Sequence, residues 1–146
     1  MLLNYVEAFR LLNVNATIEQ GRKPYKPALL LAVIDGIETG QIQNNQIIIT
    51  PELIASFRVH REKLGATTPY ESRNFAYPFF HLRGEGFWQL KEKPGMQIKI
   101  NSSNSISGLN HLREVIAYAR LDLNLWELLK TEKSRNILRN TLLAKY

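Results

Sequence analysis

Two short stretches of the chain interleave cations with aromatic rings, the combination that meets phosphate charge and apolar chemistry together. The first is Gly21-Arg22-Lys23-Pro24-Tyr25-Lys26-Pro27, with three cations just ahead of an apolar run. If that run is a helix, the cations oppose its dipole, which favours negative charge at the N-terminal end. An approaching phosphate would meet both the free N–H groups of the helix start and the lysines, which offsets the local cost. The plain alternative is a solvated loop that carries cations. The second stretch runs from Arg73 to Arg83 and sets Phe75, Tyr77, Phe79, Phe80 and Pro78 between two arginines. Phe79 and Leu82 read as core. Tyr77-Pro78 is a rigid corner with two readings. It is purely structural, or it keeps an apolar face open with Arg73, His81 and Arg83 as donors around it.

Other chemistry finds little support. His60, His81 and His111 show no metal-ligand spacing. The absence of cysteine excludes disulfides, thiolate zinc sites and a cysteine nucleophile. Asp35, Glu38, Glu62, Glu85 and Glu92 are scattered, without the spacing of a metal nuclease. Gly84-Glu85-Gly86 lacks the lysine and helix of a phosphate loop, and no serine sits in a nucleophile elbow. No enzymatic activity, metal or cofactor is expected from this chain. A formal net charge of +6 favours polyanionic partners, nucleic acid first among them.

These residues need a scaffold, and 146 residues suit one domain, residues 1–146, with a core of its own. Leu2, Tyr5, Val6, Phe9 and Leu12 follow helical spacing. After a loop from Asn13 to Tyr25, Pro27 suits a first helical residue and Gly40 an end. Ala28–Ile34 is apolar almost all round, as a central buried helix would be. Gln46–Ile49 reads as a strand. Thr50-Pro51-Glu52 is a helix start, with Leu53, Phe57 and Leu64 on its buried side. Pro78 is expected to prevent a regular helix through Tyr77 and to start a short one. Phe87–Lys91 and Gln97–Ile100 read as a hairpin, or wing. His111–Ala119, Asn124–Lys130 and Ser134–Tyr146 read as helices, with Asn124 and Ser134 as caps. The expected fold is α+β, mainly α: a helical domain with a small β-hairpin, winged-helix-like. The opening residues carry no basic run, and the longest apolar run is far short of the roughly 20 residues of a membrane span. A cytoplasmic protein without membrane contact is therefore expected.

The motifs also form an ordered set. Lys23-Pro24-Tyr25-Lys26-Pro27-Ala28-Leu29-Leu30-Leu31 is similar to the K-P-H-K-P-x-L-L-L opening of certain HNH restriction endonucleases. Thr50-Pro51-Glu52-Leu53 with Phe57 follows, then Tyr77-Pro78-Phe79-Phe80-His81-Leu82, then Gly86-Phe87-Trp88-Gln89-Leu90. The tail runs from Ala119-Arg120-Leu121-Asp122-Leu123 to Leu142-Leu143. Over nearly the whole chain this order and spacing resembles the sulfur-binding domain of phosphorothioate-dependent type IV restriction enzymes. The resemblance implies recognition of double-stranded DNA in which sulfur replaces one non-bridging backbone oxygen. It implies a sulfur pocket of Tyr77, Pro78 and His81, and DNA-backbone contacts from Arg22, Lys23, Tyr25, Lys26 and Arg83. Tyr25 stands where the family has histidine. Glu71, Arg73 and Asn74 lie where flanking or base contacts would fall. It further implies an HNH nuclease domain following in a full-length protein; this chain has no such motif. Pairing of two copies through that protein stays open.

The physics of such a pocket is simple. Sulfur is larger, more polarisable and less strongly hydrated than oxygen. Its transfer to apolar surroundings costs less, whereas an oxygen there loses water and gains no donor. Two other readings stand beside this one: a sulfur-independent winged-helix regulator, and a protein-interaction domain whose charge serves solubility.

Overall fold

The computed structural model describes residues 1–14 and 23–146. Arg22 lies outside the described residues. Seven helices are described: α1 Leu2–Arg10, α2 Tyr25–Thr39, α3 Pro51–Lys63, α4 Ser72–His81, α5 Leu109–Val115, α6 Leu123–Lys130 and α7 Glu132–Lys145. Two strands, β1 Trp88–Glu92 and β2 Ile116–Leu121, and a 3-10 turn at Leu82–Glu85 complete the set. The fold is α+β and mainly α, as expected.

α2 is the centre. Pro27 to Ile34 and Gly36 are all buried, and α3, α4, α6 and α7 pack around it. Each buried leucine, isoleucine or valine there contributes about 1.5–3 kcal/mol relative to exposure. The helix begins at Tyr25, two residues before the expected start, which puts Pro27 in the first turn, where no N–H is needed. Gly40 ends it at φ +82°, a conformation that glycine adopts without penalty. The start of α3 is also as expected. Thr50 Oγ1 accepts the Leu53 N–H at 3.1 Å, and Pro51 and Glu52 fill the first turn. Such a cap is worth about 1 kcal/mol.

Four expectations are corrected. First, α4 runs through Pro78 instead of breaking before it. Residue 78 has no N–H for the Asn74 carbonyl, a cost of about 3 kcal/mol in a helix interior. Burial of Phe75, Ala76, Phe79 and Phe80, all fully enclosed, offsets it. Second, β1 does not pair with Gln97–Ile100. It pairs antiparallel with β2, in the register Trp88↔Leu121, Leu90↔Ala119 and Glu92↔Ile116. β2 has apolar residues to bury in Ile116, Ala119 and Leu121, whereas Gln97, Lys99 and Ile100 are exposed. The wing of a local hairpin is therefore absent among the described residues, and the helix expected over His111–Ala119 stops at Val115. Third, the strand expected at Gln46–Ile49 is a single bridge, Ile47↔Ala119, on the same β2. Fourth, α6 and α7 start earlier than their expected caps: Asp122 and Thr131 occupy those positions, and neither makes a side-chain cap bond. The Asp122 carboxylate instead accepts the Tyr5 hydroxyl at 3.2 Å.

Candidate nucleic-acid interface

The helical course of α4 decides the geometry of the site. Asn74, Tyr77, Pro78 and His81 stand at i, i+3, i+4 and i+7, so they share one face, while Phe75, Ala76, Phe79 and Phe80 face the core. That shared face lines a cleft of about 900 Å³. Lys23, Tyr25 and Lys26 from the start of α2 line it too, with Glu71 and Arg73 at the start of α4. Two segments some fifty residues apart in sequence thus meet around one cavity. Thr68, Pro69, Asn13, Val14, Gly84 and Glu85 complete the lining. Of the expected site residues, Arg83 is not in it. Its guanidinium lies over the Phe80 ring, 4.1 Å from the centroid.

The apolar part is the Tyr77-Pro78 wall. Pro78 is buried and Tyr77 half-buried, with its ring edge-on to His81 at 6.3 Å. His81 Nε2 is 2.8 Å from Ser105 Oγ. Burial holds the His81 pKa below 6.5, and the Lys26 and Arg83 charges lower it further, so the ring is neutral at neutral pH. The wall therefore presents an uncharged imidazole beside the phenol and the proline.

The cations are differently placed. Lys26 Nζ sits 2.6 Å from Glu85 Oε1, and each side chain is only 13% exposed. Glu85 Oε1 also accepts the Asn13 N–H at 3.0 Å. Arg73 Nε pairs with Glu71 Oε2 at 2.6 Å, but there the side chains are 60% and 56% exposed and solvent weakens the pair. Lys23 is half-buried and has no partner among the described residues. Asn74 Oδ1 accepts the Glu71 N–H at 2.8 Å, which ties its carbonyl end to the helix start. α2 has no side-chain cap, so the Tyr25 and Lys26 N–H groups have no partner within the helix.

One wall depends on a residue that sequence reasoning missed. Arg61 on α3 is fully buried. Its Nη2 donates to the Thr68 carbonyl at 2.7 Å, and its Nη1 to Glu62. Tyr25 belongs to the same assembly: its hydroxyl is 3.3 Å from Thr68 Oγ1, and its ring packs against Phe57. Tyr25 thus braces the Thr68 segment. The signal for Arg61 would have been a cation on the inner face of α3, four residues after Phe57. Glu85 was also missed, since its partner Lys26 is remote in sequence.

The other histidines have local partners. His60 Nε2 is 2.6 Å from Asp35 Oδ2, and His111 Nε2 accepts the Lys99 N–H at 2.9 Å. Among the described residues no three metal-ligating side chains converge, and no helix is long and apolar enough to cross a membrane. No family model matches the chain, and no curated protein matches it.

Proposed function

We propose that the chain recognises phosphorothioate-modified double-stranded DNA, with the sulfur against Tyr77, Pro78 and His81 and the adjoining phosphates on Lys23 and Lys26. The observation that carries this reading is the shared cleft, lined both by Tyr77, Pro78 and His81 of α4 and by Lys23 and Lys26 at the start of α2. Sulfur loses little water on entering beside Tyr77 and Pro78, while an oxygen there loses more and recovers less. Lysines supply affinity for any backbone, and that part falls with salt. In this reading the chain is a targeting module, and strand cleavage belongs to a separate HNH domain of the full-length protein. The winged-helix alternative has no hairpin wing to use among the described residues. A pure protein-interaction role leaves the gathering of cations around an apolar wall without a purpose.

The test is a binding titration of one duplex with and without a single site-specific phosphorothioate at fixed salt. The modified duplex is expected to bind at least about tenfold tighter, the equivalent of about 1.4 kcal/mol. Equal affinities would overturn the proposal.

A further inference from the structure

The cleft carries an anion of its own. Glu85 Oε1 takes the Lys26 ammonium at 2.6 Å and the Asn13 N–H at 3.0 Å, with both charged side chains 13% exposed. We infer that Glu85 is an internal competitor for Lys26 that sets how tightly the cleft holds any phosphate backbone. The inference rests on the DNA-binding reading above and names a residue that tunes it.

The argument is electrostatic. Lys26 is a largely enclosed cation of the cleft, and its charge is already matched by an equally enclosed carboxylate. A phosphate that approaches must displace that carboxylate or lie beside it, and both weaken binding. The second acid, Glu71, has no such leverage, because its pair with Arg73 is more than half exposed and screened by water. Ordinary phosphate and phosphorothioate carry the same net charge, so Glu85 opposes both equally. Only the modified group recovers free energy from the Tyr77-Pro78 wall. Unmodified backbone is present in vast excess in any genome, so lowering its absolute affinity keeps the module free for modified sites.

Glu85→Gln keeps the size of the side chain and removes its charge. Affinity is expected to rise about five- to tenfold for modified and unmodified duplex alike. The slope of log affinity against log salt should steepen by about 0.9, the share of one further phosphate contact. The ratio between the two duplexes should stay within about twofold. In a Lys26→Gln background the steepening of the salt slope should vanish, because Glu85→Gln then frees no cation for a further phosphate contact and only relief of direct repulsion remains. An unchanged or lower affinity for Glu85→Gln, or a steepening that persists without Lys26, overturns the inference. A wild type that ignores sulfur overturns the reading beneath it instead, so the two failures are separable. Circular dichroism melting establishes that the variant folds. If it does not, the Glu85 carboxylate carbon of the wild type is followed by NMR during titration with duplex. Its signal must move as Lys26 changes partner, and a signal that stays put sinks the inference.

Discussion

Pro78→Ala separates what the proline costs α4 from what it gives the cleft. In the helix, alanine restores the N–H that the Asn74 carbonyl lacks and removes the ring clash, a gain of about 3 kcal/mol at an interior position. Against this, two buried methylenes are lost at about 0.8 kcal/mol each. The unfolded chain also becomes freer, which costs roughly 0.5 kcal/mol. The balance is about 1 kcal/mol in favour of the variant, or a rise of about 2–4 °C in melting temperature for a domain of this size. The cleft loses the same two methylenes from its wall, so a docked sulfur loses up to about 1.5 kcal/mol, roughly tenfold in affinity. Unmodified duplex should bind as before. The assays are thermal melting and paired titrations with the modified and unmodified duplex. A fall in melting temperature of several degrees would refute the account of helix strain. An intact preference for sulfur would refute the role given to the wall.

Lys23→Gln should weaken binding to both duplexes by a similar factor and flatten the salt slope by about 0.9, measured by titration across a salt series; an effect confined to modified DNA would contradict its placement as a backbone contact. His81 carries a stability term with a definite sign. Its folded pKa lies below the unfolded value of 6.5, so the unfolded state binds the extra proton first. The contribution is whole above 6.5 and is lost as pH falls through the folded pKa. Urea unfolding of wild type and His81→Gln should therefore converge in stability as pH is lowered from neutral to about 5, and a constant difference would exclude the term. Arg61→Ala removes a buried cation with its bonds to Thr68 and should cost about 2–4 kcal/mol in urea unfolding. It should also weaken binding of both duplexes by loosening the Thr68 wall; a surface-like loss below about 0.5 kcal/mol would show that Arg61 pins nothing.

Legibility followed the range of the interactions. The start of α3 was readable because Thr50, Pro51 and Glu52 act within one turn, and the end of α2 because Gly40 closes it locally. β1 was readable as a strand, but its partner was not. Gln97–Ile100 is the nearer β-branched segment and makes the shorter loop. β2 wins because pairing there buries Ile116, Ala119 and Leu121, a gain visible only once the core exists. The reading of His111–Ala119 as helix failed for the same reason, since the core claims Ile116 onward as strand. The members of the candidate site were legible by type, as cations and aromatics. The pairing of Lys26 with Glu85 and the burial of Arg61 are tertiary and left no local mark.

Pro78 shows how a local rule can mislead about position while pointing to the right residues. Taken as a helix breaker, it makes Tyr77-Pro78 a corner and leaves the register between Tyr77 and His81 undefined. Tolerated inside α4, it returns them to one helical register, and Asn74, Tyr77, Pro78 and His81 then form a continuous strip along the cleft. The core face of the same helix, Phe75, Ala76, Phe79 and Phe80, supplies the burial that makes the tolerance affordable. The aromatic density of this segment therefore has two functions on two faces. The phenylalanines anchor the helix, and that anchoring lets a residue poorly suited to helices present a rigid apolar ring at the cleft.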